Sequence, residues 1–140
     1  MSKNYVLPPQ KFRELVFLLL FSTDSHESDL EELFATVGHE LKVSQPNVKL
    51  AWEKVEEIQK YLVDIDEKIT EISTSYDFFR IQKVELAILR LAFYELLFEK
   101  KLSVPIIIAE AKRIAKKFAT EDAASFCQAL IDAVVKEKKS

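Results

Sequence analysis

Glycine is almost missing from this 140-residue chain, with Gly38 the only one. Phosphate-cradling loops and dinucleotide folds need several glycines at turns where the backbone approaches a ligand closely. Nucleotide-binding enzymes of the Gly-rich types are therefore not expected. Cysteine is equally scarce: Cys127 stands alone, so no intrachain disulfide can form and a reducing cytoplasm is the natural setting. Long apolar runs are absent as well. The run over residues 15–21 has seven residues, far short of the ~20 that cross a bilayer, so no membrane partner is expected. Met1 is followed by polar residues rather than by a basic segment and an apolar stretch, so no secretion signal is expected. His26 and His39 have no cysteine or carboxylate at metal-ligand spacing, and neither a metal nor a cofactor is expected. Cys127 has no histidine pairing that would activate it, and no pair of acids stands out for acid–base work. The chain reads as a non-enzyme.

What is present is charge, unevenly placed. Residues 1–20 carry Lys3, Lys11 and Arg13 against Glu14, a balance of +2; residues 21–71 carry five lysines against thirteen acids, a balance of −8; residues 72–140 return to +3, for a total of −3. A polyanion would be held by the two ends rather than by the acidic middle. A solvated acidic helix face explains the middle equally well.

Apolar residues recur at three- and four-residue spacing along nearly the whole chain, without sustained two-residue alternation, which predicts an all-α fold of about seven helices. Pro8 and Pro9 suit the start of a first helix over about residues 9–23. Ser28 and Glu31 have capping-box spacing for a second, ending near Leu41, with Leu30, Leu33, Phe34 and Val37 on its core face. Ser44 and Pro46 mark a third, running to about Val63 through Val48, Trp52, Val55, Ile58 and Leu62. Asp64 or Asp66 either begins a fourth helix or bends the third. A fifth, over about residues 81–99, is apolar around most of its circumference, as expected of a surrounded element. Pro105 starts a sixth with Ile107, Ala111, Ile114 and Phe118 at core spacing, and Thr120 is a good N-cap for a seventh over about residues 121–136.

Two helix faces carry chemistry suited to RNA. On the first helix Gln10, Arg13, Glu14, Phe17 and Phe21 fall within about 100° of one another, which sets two aromatics beside Arg13. Unpaired bases stack on such rings while cations meet phosphates; the alternative is that both rings lie under a neighbouring helix. On the sixth helix Lys112, Arg113, Lys116 and Lys117 form two i, i+4 pairs and so one basic face, which is either solvated surface or a row of phosphate contacts.

The stretch Leu89-Arg90-Leu91-Ala92-Phe93-Tyr94-Glu95-Leu96, followed by Val104-Pro105, Glu110-Ala111, Ala115-Lys116 and Phe118-Ala119-Thr120-Glu121-Asp122, resembles the C-terminal half of the NusB family of bacterial transcription antitermination factors. Arg13-Glu14 opening an apolar helix that ends at Phe21 is similar to that family's beginning. The resemblance implies two packed antiparallel three-helix bundles, about residues 1–76 and 77–140, within a single helical domain. It implies binding of the boxA element of ribosomal RNA leader transcripts together with NusE, a protein of the small ribosomal subunit, and through that pair an indirect link to the RNA polymerase antitermination complex. Phe21 at the end of the first helix, and Asp122 and Phe126 on one face of the seventh, match family positions close to RNA; Glu85 matches a position facing NusE.

The resulting RNA-binding set is Lys3, Lys11, Arg13, Phe17, Phe21, Lys112, Lys116, Asp122 and Phe126, with Arg90 and Tyr94 assigned to structure. Three departures from the family are visible. Pro8, Pro9, Gln10 and Lys11 stand where it carries an arginine-rich run, Ala119 replaces a glycine, and Gln128-Ala129 replaces an Asn-Gly pair. Fewer phosphate contacts mean weaker, less salt-dependent binding, which keeps open a second reading as a protein-interaction module of the same fold. Some family members form dimers that cover the RNA surface, and a homodimer is compatible with this sequence. A third reading, the helical domain of an RNA methyltransferase, is set aside because the sequence ends at Ser140 without a catalytic domain.

Overall fold

The computed structural model describes residues 6–25, 29–73 and 78–139. Its described residues form seven α-helices and no strand, in two compact units, Met1–Gln59 and Lys60–Ser140. Lys3, His26 and Ser28 lie outside the described residues.

The first unit holds α1 (Pro9–Ser25), α2 (Leu30–Leu41) and α3 (Gln45–Gln59). Pro9 opens α1, and the Phe12 N–H bonds the Pro8 carbonyl at 3.0 Å. The helix buries Leu15, Val16, Phe17, Leu19 and Leu20. Asp29, one residue after the expected Ser28, caps α2 by accepting from the Glu31 N–H at 3.0 Å. Leu30, expected on the core face, is 42% exposed, while Val37 is buried and Phe34 lies 5.4 Å from the half-buried Trp52 ring. The helix ends at Lys42, in left-handed conformation with φ 57°, and the Val43 N–H returns to the Gly38 carbonyl at 3.0 Å. This closure explains the lone glycine. A β-carbon on Gly38 would meet Gln45 Nε2 at 2.5 Å and the Val43 carbonyl oxygen at 3.3 Å, and Gln45 is itself donating to the Phe34 carbonyl at 2.9 Å. Val48, Ala51, Val55 and Ile58 then give α3 a fully buried stripe.

The third helix stops at Gln59, earlier than expected, and α4 (Leu62–Ile72) begins after a turn at Lys60 and Tyr61. The second unit continues through a 3-10 turn (Phe78–Arg80), α5 (Lys83–Tyr94), α6 (Val104–Phe118) and α7 (Glu121–Lys139). It thus holds four helices, and the division falls before α4 rather than near residue 76. Every residue from Leu86 to Leu96 except Arg90 is buried, so α5 is the enclosed element anticipated from its composition, in contact with α4, α6 and α7. Arg90 reaches α4 and grips Asp66 with two parallel bonds, Nε to Oδ1 at 2.9 Å and Nη2 to Oδ2 at 2.8 Å. Such charge-assisted forks fix geometry as well as adding energy. The helix runs on through a π-helical turn at Glu95–Glu99, closed by the Lys100 N–H on the Glu95 carbonyl at 3.0 Å. Phe98 in that turn stacks on Tyr61 with centroids 4.4 Å apart. Lys68 joins α4 to α7 through Glu137 at 2.7 Å, an exposed pair of small energetic weight. Among the described residues no helix is long and apolar enough to cross a membrane.

Three consequences can be measured. In a double-mutant cycle followed by urea denaturation, Asp66→Ala and Arg90→Ala should each destabilise by about 1–3 kcal/mol with a coupling of ~1 kcal/mol or more; purely additive losses would show that the two do not act as a pair. Thr120 accepts from the Ala123 N–H at 3.0 Å, so Thr120→Ala should cost ~1 kcal/mol and Thr120→Ser much less, an equal loss in both arguing against the cap. Cys127 is fully buried, and burial foremost, then the Glu85 charge, pushes its thiol up to about 12. Because the folded state holds this proton more tightly, the resulting stability is intact below the ordinary thiol range and lost as pH climbs toward about 12. Iodoacetamide near pH ~8 should therefore label Cys127 only in denaturant, and labelling of the folded chain at the rate of a free thiol would contradict this.

Candidate nucleic-acid interface

In the first unit the expected RNA face is α1. Lys11 and Arg13 are half-buried near its start, and Phe21 is half-buried at the end of its apolar run. Phe17, included with it in the RNA-binding set, takes the alternative of burial and is 1% exposed. The reason is compositional: residues 15–21 are Leu-Val-Phe-Leu-Leu-Leu-Phe, with no polar side to turn outward, and Glu14 at 4% exposure is enclosed with them. Phe17 has no open face for a base. Its ring lies 6.1 Å from that of Phe21, inclined by 21°, and so backs the more accessible ring.

In the second unit α6 and α7 carry the remaining candidates. Pro105 lies in the first turn of α6, and Ile107, Ala111, Ile114 and Ala115 are buried. Burying that stripe leaves Lys112 half-buried and Lys116 exposed, one turn apart on one row. The adjacent row is weaker than expected. Arg113 spends its fork on Glu110, Nε to Oε2 at 3.1 Å and Nη2 to Oε1 at 2.9 Å. Glu110 is itself 7% exposed, and a carboxylate so buried requires a cation. Lys117 is exposed, its Nζ 5.6 Å from the centre of the Phe118 ring. The basic face is thus led by Lys112, Lys116 and Lys117.

Thr120 caps α7 and leaves Glu121 and Asp122 exposed in its first turn, where acids complement the helix dipole. Phe126 follows one turn after Asp122 and is half-buried. A carboxylate beside an aromatic edge can accept from the amino groups of bases while the ring stacks on their faces.

Glu85 occupies the first turn of α5 and accepts from the Gln82 N–H at 3.2 Å. Burial holds its carboxyl above the ordinary value, against the lowering influence of that N–H. It therefore has a local structural task besides any partner contact. Its backbone carbonyl receives the Cys127 thiol at 4.0 Å, which sets the first turn of α5 against α7 next to Phe126. One residue at this end escapes a periodicity reading altogether. Phe79 is 91% exposed in the 3-10 turn, between half-buried Phe78 and exposed Arg80.

The sequence profile of the NusB family matches residues 10–136. A relative, transcription antitermination protein NusB of Pseudothermotoga lettingae, is 32% identical over 126 residues, covering 90% of this chain and 89% of that protein. Among solved structures, T. maritima NusB matches with a TM-score of 0.77 at 30% identity, over 95% of this chain and 94% of that one. A chain in a crystal structure of antitermination factors NusB and NusE in complex with dsRNA matches with a TM-score of 0.77 at 26% identity, over 91% of this chain and 96% of that one. A family profile that covers most of the chain, with a relative that aligns along nearly its whole length, means that this chain belongs to the NusB family.

Proposed function

We propose that this chain is a transcription antitermination factor that binds RNA jointly with NusE, with the boxA element of ribosomal RNA leader transcripts as its target, and so helps RNA polymerase elongate processively. The observation that carries this reading is the likeness, along 91% of the chain, to a protein solved with NusE and dsRNA. Transcription places such a factor in the bacterial cytoplasm, and its action is recognition rather than catalysis. Lys112 and Lys116 on α6, Asp122 and Phe126 on α7, and Phe21 on α1 have the exposure and chemistry to meet phosphates, base edges and base faces. Lys11 and Arg13 add charge at the start of α1, and Glu85 is the residue assigned to NusE. Two observations favour the rival reading, an interaction module with weak or no RNA binding: Arg113 is occupied by Glu110, and Pro8, Pro9 and Gln10 precede Lys11 where more cations would strengthen phosphate binding. A homodimer covering the Phe21 surface would have a similar effect.

A titration of fluorescent boxA-type RNA, with and without NusE, at two salt concentrations and against a scrambled RNA, separates these readings. Selective binding strengthened by NusE is expected. In Lys112→Glu/Lys116→Glu the log–log salt slope should fall by at least ~1.4, about 0.7 per lost contact on a single strand. Unchanged affinity and slope would remove the α6 row from the site, and NusE binding without RNA selectivity would favour the interaction module.

A further inference from the structure

The 3-10 turn before α5 carries the most exposed aromatic side chain of the described residues, Phe79 at 91%. The turn is anchored on both sides. The Ile81 N–H bonds the Phe78 carbonyl at 3.1 Å, Ile81 is 6% exposed, and Phe78 is half-buried with its ring edge-on to Phe79 at 5.7 Å. Adjacent residues of so tight a turn point in different directions, so burying Phe78 and Ile81 leaves Phe79 and Arg80 outward. Arg80 and Lys83 are both exposed, within one and four residues of the ring. Within α5 the nearest acid, Glu85, is half-buried and accepts from the Gln82 N–H, while Asp77, before the turn, lies outside the described residues. An exposed aromatic face flanked by two cations matches a ligand that is flat and apolar in one part and anionic in the next. An unpaired nucleotide has that composition; an acidic peptide would satisfy Arg80 and Lys83 but leave the ring in water.

Position supports the same occupant. The Cys127 thiol on the Glu85 carbonyl, at 4.0 Å, sets the first turn of α5 beside α7 at the residue that follows Phe126. The 3-10 turn ends at Arg80, three residues before α5 begins, so Phe79 is carried on the chain leading into the helix end that packs on α7. We propose that Phe79, with Arg80 and Lys83, is a stacking platform for one unpaired nucleotide flanking the RNA element bound at α7. This rests on the RNA-binding reading and extends it by a site outside the set assigned from α1, α6 and α7.

The test uses the full chain with NusE and boxA-type RNAs carrying 2-aminopurine at successive unpaired flanking positions. Wild type should quench the fluorophore at one flanking position. Phe79→Ala should abolish that quenching and weaken binding of the flanked RNA about tenfold, within the range of a base–aromatic stack, while leaving an RNA trimmed to the element unaffected. Phe79→Trp should restore both, and Arg80→Gln/Lys83→Gln should weaken the flanked RNA with a shallower salt slope. Because Phe79 is exposed, matching thermal midpoints of wild type and Phe79→Ala are expected. If wild type binds boxA-type RNA selectively but Phe79→Ala changes neither quenching nor affinity, the platform is overturned and the general RNA reading stands. If Phe79→Ala instead weakens NusE alone, the turn is a protein contact and the proposal is likewise overturned. Failure of wild type to bind any of the RNAs would overturn the function reading, and this site with it.

Discussion

A helix that is apolar on every side has to be surrounded, and α5 imposes that condition on the second unit. From Leu86 to Leu96 its side chains are buried save for Arg90. Six of them, Leu86, Ile88, Leu89, Leu91, Phe93 and Leu96, are large and apolar, and their burial contributes on the order of 10 kcal/mol before entropy is counted. The Arg90–Asp66 fork adds about a tenth to a third of that. Magnitude therefore assigns stability to burial and specificity to the ion pair. Apolar surfaces tolerate sliding, whereas a guanidinium at 11% exposure has to find a carboxylate, and the fork admits one register of α4 on α5. The aromatic stack of Tyr61 on Phe98 reinforces that register at the far end of α5.

The same requirement, that enclosed charges be answered, decides which polar residues remain for RNA or a partner. Glu110 is enclosed, so it takes Arg113 out of the basic row. Glu85 meets a backbone amide, so part of its capacity is spent within the helix. Thr120 acts in the opposite sense: its hydroxyl satisfies the Ala123 amide, and Asp122 is left facing solvent. Functional surface here is what structural satisfaction leaves over.

This also explains how far the chain could be read from its residues. Helix number, the all-α class, the Pro105 and Thr120 starts and the enclosed α5 were legible, because each rests on local chemistry or on a single period. The break at Lys60 and Tyr61 was not, since Ile58, Leu62, Ile65 and Ile69 keep an unbroken four-three-four spacing across it and no glycine or proline interrupts them. Ser28 and Asp29 are adjacent capping types, and spacing alone cannot choose between them. Phe17 is ambiguous in the sequence because a wheel drawn through an all-apolar run assigns a polar side that the run does not have, and the buried alternative is the one realised. Arg113 belongs to the basic face by spacing, yet Glu110, three residues earlier, stands at ion-pairing distance along the same helix and takes it. Phe79 was invisible for a different reason: a three-residue turn has no period from which to infer a buried side.

The overall charge of −3 frames the energetics of RNA recognition. Each lysine–phosphate contact on a single strand adds about 0.7 to the salt slope, and two or three such contacts lose much of their effect at physiological salt. Stacking is nearly independent of salt and supplies ~1–3 kcal/mol per base. A surface with a few lysines and several aromatic rings therefore takes more of its affinity from base faces than a chain with a basic arm would. Stacking is tolerant of sequence, so in the proposed complex discrimination would fall to carboxylate and amide contacts such as those open to Asp122, and the missing phosphate neutralisation would have to come from elsewhere. On the proposed function a basic partner bound to the same RNA would supply it, and cooperation with a second protein would then be an energetic need rather than an accessory to binding.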